Sequence, residues 1–266
     1  MQQTFDRYEK KYLLTPEQAR FLQTRLTPYF KEDQYGLHTI CSVYYDTENF
    51  AVIRQSCDKP VYKEKLRLRS YTPFGAPAPG PDSPAFLELK KKFDGIVNKR
   101  RVSLTLQQAR DYLSGGVLPP KEIAESQIFR EIDWFVRRWQ PQKAVLVAYD
   151  RIALQGLTEA APRMTLDRNI RWRTELPDPA YGSDGQLLWP EQESPVLMEV
   201  KVPGAVPVWL AHLLDEAGIY PASFSKIGSI YQSHLNPFDP QTRRNMSCLK
   251  ASCPNPHPAA SPRSAS

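Results

Sequence analysis

The run Lys63-Glu64-Lys65-Leu66-Arg67-Leu68-Arg69 sets a cation at every second position. Side chains of an extended chain alternate faces, so the four cations share one face and Leu66 and Leu68 share the other. Like charges on one strand face repel, and the arrangement is stable where that face meets bulk water or a polyanion. Taken alone, such a strand reads as a solvated or nucleic-acid-binding face. The leucines opposite predict packing against helices.

A second pattern changes that reading. Glu9-Lys10-Lys11, Glu88-Leu89-Lys90 and Glu199-Val200-Lys201 each place a carboxylate and an ammonium on one face of an extended segment. Cross-strand ion pairing on an open surface would explain one copy. In the last two the intervening residue is apolar, as expected where a barrel wall separates a wet lumen from a packed exterior. More cations stand on or near other extended segments: Arg7, Arg54, Lys99 with Arg100 and Arg101, Arg151 and Arg163. Arginine grips phosphate oxygens through two N–H groups and lysine supplies a mobile point charge. The expected ligand is therefore a triphosphate or polyphosphate.

The elements that must position these residues are mostly strands. Period-2 patterns occupy Tyr8 to Leu14, Thr39 to Tyr45, Tyr62 to Tyr71, Ala85 to Lys92, Ala144 to Leu154, Arg163 to Arg173 and Pro195 to Val202. Helix starts are written at Thr15-Pro16-Glu17-Gln18 and at Thr105 with Gln108, both capping boxes. Further helices are expected over Glu122 to Trp139, from Gly204 to about Gly218, and near Ser225. Pro73 to Pro84 and Leu176 to Pro195 read as long loops joining adjacent strands. The fold class is α+β: an antiparallel β-barrel with flanking helices, over residues 1–235. Residues 236–266, rich in Pro and Ser, read as a disordered tail.

Composition fits one substantial core: 266 residues, 41% hydrophobic, with a formal charge of +6 that favours an anionic partner. Cys41, Cys57, Cys248 and Cys253 lack CxxC spacing, so reduced thiols are expected. The first ten residues carry no targeting pattern and no run is long and apolar enough for a membrane span, which predicts a cytoplasmic protein. The scattered histidines, and Trp134, Phe135 and Trp139 on one predicted helix, read as packing or surface positions.

The motifs in their order carry a resemblance. Arg7-Tyr8-Glu9-Lys10-Lys11-Tyr12, Val43-Tyr44-Tyr45-Asp46-Thr47, Lys65-Leu66-Arg67-Leu68-Arg69, Leu87-Glu88-Leu89-Lys90, Tyr149-Asp150-Arg151, Leu166-Asp167-Arg168, Met198-Glu199-Val200-Lys201 and Phe224-Ser225-Lys226 are similar to motifs of one family. From about Arg7 to Tyr231 the chain resembles the polyphosphate polymerase domain of the vacuolar transporter chaperone (VTC) proteins, within the triphosphate tunnel (CYTH-like) superfamily.

The resemblance implies that Lys11, Arg54, Arg67, Arg69, Lys90, Lys99, Arg151 and Arg163 hold phosphates, with Tyr149, Ser225 and Lys226 as polar contacts. It implies that Glu199 holds a divalent metal, Mn²⁺ or Mg²⁺, with Glu9 as a weaker second carboxylate and Lys201 beside it. Expected catalytic residues are Glu199, Lys201, Arg67 and Arg69. The implied reaction is ATP-dependent polyphosphate synthesis, with ATP and inorganic polyphosphate as partners and no nucleic acid. Eukaryotic members carry a phosphate-sensing domain and a membrane segment that are not in this sequence, so a separate membrane partner, with a peripheral membrane position, is an added expectation. Members that hydrolyse triphosphates begin with Glu-x-Glu-x-Lys, whereas here those positions read Arg7, Glu9 and Lys11. A triphosphatase or nucleotide cyclase, and a catalytically silent polyphosphate-binding subunit, are the alternatives.

Overall fold

The computed structural model describes residues 7–158 and 162–236, and for Arg7 and Tyr8 the backbone only. Ten strands form one antiparallel sheet: β1 (Arg7–Leu14), β2 (Phe30–Glu32), β3 (His38–Asp46), β4 (Tyr62–Pro73), β5 (Pro84–Phe93), β6 (Ile96–Thr105), β7 (Gln142–Gly156), β8 (Arg163–Arg173), β9 (Gln186–Leu187) and β10 (Val196–Pro203). The main path runs β1-β10-β8-β7-β3-β4-β5-β6, with β2 on β7 and β9 on β8. The sheet curls so that the charge of Lys11 on β1 reaches Lys90 on β5, and that of Lys201 on β10 reaches Lys99 on β6. Among the described residues no ladder joins β1 to β6, so the barrel is open along that seam.

Alternation sends each wall's apolar residues outward. Leu66, Leu68, Leu87 and Leu89 are at most 1% exposed and pack with Val102 and Leu104 against α3 (Leu106–Gly115) and α5 (Gln127–Trp139). Burying each such leucine stabilises the wall by about 1.5–3 kcal/mol. On the other side Tyr12, Leu14, Met164, Met198, Val200 and Val202 pack against α1 (Pro16–Leu26) and α6 (Val208–Glu216). A third core lies inside the curl, where Ile40, Val145, Val147 and Leu197 meet Ile53 of α2 (Ala51–Cys57) and Ile227 and Ile230 of α7 (Lys226–Ile230). These two short helices plug part of the lumen, and the charged residues occupy the rest.

Both expected capping boxes form, at Thr15/Gln18 and Thr105/Gln108. The helix expected over Glu122 to Trp139 is two helices, α4 (Lys121–Ala124) and α5, because the Ser126 hydroxyl accepts from Phe129 N and starts a new helix. Gly204 at φ 94° turns the chain and delays α6 to Val208.

Besides the short strands β2 and β9, two elements that frame the site were not legible. Helix α2 starts without a local cap: Phe50 is left-handed, and the Asp46 carboxylate at the end of β3 accepts from the N–H groups of Val52 and Ile53. Strand β6 is too charge-rich to show an apolar period, although the Asp94-Gly95 turn that returns it from β5 is a hairpin signal.

The loop after β4 joins neighbouring strands, as expected. The segment from Leu176 to Pro195 likewise joins neighbours but holds β9, which crosses so close to β8 that a Cβ on Gly185 would lie 2.5 Å from Trp172 O. Cys41 and Cys57 are free. The tail expected over 236–266 falls outside the described residues save Asn236, and among those described no helix is long and apolar enough to cross a membrane.

Candidate functional site: a cation-lined lumen

Register turns the alternating strands into rungs across the lumen. On one wall, cross-strand partners bring Lys63 beside Lys92, then Lys65 beside Lys90 and Lys99, then Arg67 beside Glu88 and Arg101, and last Arg69 beside Phe86. The basic strand that could have faced open water instead faces inward, because its leucines are needed by the helix-covered exterior. Glu88 is the carboxylate of this wall. Arg67 Nε donates to its Oε2 at 2.8 Å and Arg101 Nε to its Oε1 at 2.7 Å. Burial opposes its ionisation, but Arg67 and Arg69 outweigh burial and hold its pKa down to about 2.

Among the described residues the lysine rungs have no such partner. Burial together with Lys11 lowers the pKa of Lys90, burial lowers that of Lys65, and burial with Lys201 and Arg67 lowers that of Lys99 to about 8. Tyr44, which pairs in register with Arg67, reports the same field from the other sign. Burial resists ionisation of its phenol, yet Arg67, Arg69 and Lys65 overcome it and bring the pKa to about 8. A phenol that gives up its proton this readily lies in a strongly positive lumen.

The facing wall carries its own counter-charges. Lys11 pairs in register with Glu199, Glu9 with Lys201, and Lys201 with Arg163. Lys11 Nζ lies 3.5 Å from Glu199 and 3.8 Å from Glu9, and it donates to Phe224 O at 3.1 Å. Arg151 donates to both oxygens of Asp167 at 2.5 and 2.7 Å and stands 3.5 Å from Glu199. Lys226 donates to Asp167 at 2.6 Å and sits over the Tyr149 ring, 4.2 Å from its centroid. Burial opposes ionisation of Asp167 and Glu199, but the surrounding cations, Lys226 first, lower the Asp167 pKa and hold that of Glu199 well below the carboxylate range. The Thr165 hydroxyl, opposite Glu199 in register, is buried without a hydrogen-bond partner.

The lumen thus gathers Glu9, Lys11, Arg67, Arg69, Lys90, Lys99, Tyr149, Arg151, Arg163, Glu199, Lys201 and Lys226 of the expected residues. Ser225 joins them at its edge: its hydroxyl caps α7 and receives Lys65 at 3.4 Å. Arg54 is the exception, standing on α2 beside Tyr231 rather than on a strand rung. Lys65, Tyr44, Glu88, Arg101 and Asp167 were not singled out as site residues. Alternation already put Lys65 and Glu88 on the charged faces and could have placed Arg101; Asp167 needed the cross-strand contact to Arg151. A cavity of about 990 Å³ opens at one end between His38, Tyr71, Phe86, Arg101 and the Glu199–Lys201 wall. Among the described residues no group of three or more Asp, Glu, His or Cys could hold a metal.

The model of a family described as "VTC domain" matches residues 6–234. No curated protein matches the chain. Among solved structures, the Hippeastrum protein HpAC1, described as a candidate adenylyl cyclase that reveals a dominant triphosphatase activity, has 15% identity and a TM-score of 0.50, covering 85% of this chain and 94% of that one. A candidate adenylate cyclase of Bacillus halodurans has 14% identity and a TM-score of 0.48, covering 82% and 92%. The sheet and its helices have the fold of the CYTH-like triphosphate tunnel proteins.

Proposed function

We propose that this chain, which belongs to the VTC domain family, is an inorganic polyphosphate polymerase that uses ATP. The observation that carries the reading is the length of the cation ladder. From Lys63 to Arg69 it spans six residue steps of β4, about 20 Å at strand spacing, which is longer than one triphosphate and suits a chain of phosphates.

In the proposed reaction the terminal phosphate oxygen of a growing chain attacks the γ-phosphorus of ATP. A new P–O–P bond forms as the bond to the β-phosphate oxygen breaks, and ADP leaves. The nucleophile is already ionised, so no residue need act as base. Arg67, Arg69 and Lys90 hold equatorial oxygens and stabilise the charge spread over them in the transition state. Arg151, Lys226 and Lys11 are pre-aimed by Asp167 and Glu199, which lowers the cost of ordering them around substrate.

The donor set suits Mn²⁺ or Mg²⁺ only in company with substrate. Glu199 and Glu9 would hold the ion, the unpartnered Thr165 hydroxyl stands opposite Glu199, and phosphate oxygens would supply the remaining ligands. Bound there, the ion would neutralise charge on the transferring phosphate.

Purified protein incubated with ATP and Mn²⁺ should yield long-chain polyphosphate on a stained gel, with ADP in proportion. Orthophosphate alone would favour the second reading, a triphosphatase, which the fold shared with HpAC1 supports.

A further inference from the structure

The apex of the β5–β6 hairpin is apolar and exposed. Asp94 and Gly95, both at positive φ, make a two-residue turn, and the pair that closes it, Phe93 and Ile96, is 60% and 74% exposed. The N–H of Asp94 donates to Val61 O at 2.9 Å, which brings Val61, 65% exposed, to the same apex. Val97 adds a 46% exposed side chain on the opposite face of the hairpin. The apex is therefore a wedge, apolar on both faces, rather than one side of a groove.

Behind the apex the side chains become cationic. Lys92 precedes Phe93 by one residue and pairs with Lys63, and Lys99 follows Val97 by two. Lys59, exposed, flanks Val61 in the chain. Among the described residues none of these four lysines has a carboxylate within ion-pair distance, although Asp58 and Asp94 are close in sequence. The ammonium groups begin one or two residues back, about 3–7 Å at strand spacing. An amphipathic element at a bilayer interface sinks by about 5–10 Å.

We propose that this hairpin apex docks on an anionic lipid bilayer. The apolar residues enter the acyl boundary while the lysines meet the headgroup phosphates. The layering argues for a lipid surface: the cations lie behind the apex, Lys63, Lys92 and Lys99 on the lumen face and Lys59 beside Val61, at the depth where a headgroup plane would meet an inserted tip. Lys63, Lys92 and Lys99 also belong to the lumen's cation ladder, so the proposal is tested at Phe93, Ile96 and Lys59, which the lumen does not use.

The test is sedimentation of the full chain with phosphatidylcholine vesicles, with and without about 30 mol % phosphatidylglycerol. The expected result is binding to the anionic vesicles only, released at high salt. Phe93→Ser with Ile96→Ser should weaken it about tenfold or more with the melting temperature unchanged. Lys59→Glu, which leaves both the apex and the lumen intact, should weaken it severalfold. No binding to anionic vesicles, or binding that neither variant alters, would overturn the proposal. So would a dimer in lipid-free solution that the Phe93/Ile96 variant dissociates, since the apex would then be an interface between copies of the chain.

Discussion

On the inward positions of β4, β5 and β6, eight cations face the one carboxylate of Glu88; across the lumen Glu9, Glu199 and Asp167 are set among Lys11, Lys201, Arg163, Arg151 and Lys226. The first wall holds unpaired charge at a cost that shows as depressed lysine pKa values and an acidic Tyr44 phenol. The second pairs its charges: Asp167 holds Arg151 and Lys226 at 2.5–2.7 Å, and Glu9 and Glu199 stand 3.5–3.9 Å from Lys11, Arg151, Lys201 and Lys226. A polyanion has most to offer the first wall, whereas the second is ordered before anything binds. The difference suggests a division of labour in which one wall grips the phosphate chain and the other positions the reacting phosphate.

The comparison breaks most visibly if the gripping wall is emptied. Arg67→Ala with Arg69→Ala removes two bidentate cations, each worth about 1.5–3 kcal/mol in charge-assisted hydrogen bonds. Tripolyphosphate affinity measured by calorimetry should fall at least a hundredfold. A smaller change would mean that the phosphates lie elsewhere.

On the self-satisfied wall the expected loss is of stability. Asp167→Ala would leave Arg151 and Lys226 without their buried partner, costing about 3–5 kcal/mol, readable in chemical denaturation. Because the folded pKa of Asp167 is depressed, its contribution is present above the unfolded carboxylate pKa and lost as pH falls through the folded value. Wild type and variant should therefore converge in acid.

Two smaller effects sharpen the contrast. Lys99 has a folded pKa lowered to about 8, so its charge opposes folding at neutral pH and that opposition fades as pH rises from about 8 to the unfolded value. Its grip on an anion fades over the same range. Tripolyphosphate binding should weaken severalfold above pH 8, and Lys99→Met should remove that step. Smallest of all, bound tripolyphosphate should raise the Tyr44 pKa from about 8 toward the ordinary phenol value. The change would be followed as phenolate absorbance and should be missing in Tyr44→Phe.

Much of this was written locally. Lys63 to Arg69 and the Glu88 and Glu199 strands declare their faces by alternation, a property of each strand alone, and the capping boxes at Thr15 and Thr105 are complete within four residues. What stayed hidden depends on contacts between distant segments. Asp167 acquires its role only when β7 brings Arg151 opposite and α7 brings Lys226. Helix α2 is capped by Asp46 from the preceding strand, so Arg54 read as a strand-end cation and stands on a helix instead. Strand β6 hides because a lumen-facing strand at the sheet edge needs little apolar surface, and its charges mask its period.

Glu199→Gln tests the division of labour most directly, since it alters the positioning wall and leaves the gripping wall whole. Tripolyphosphate titrated calorimetrically into this variant should bind within a few fold of wild type, while turnover of ATP is lost. If Glu199→Gln instead abolishes binding as completely as the Arg67/Arg69 pair, the walls do not divide gripping from positioning and the account is wrong.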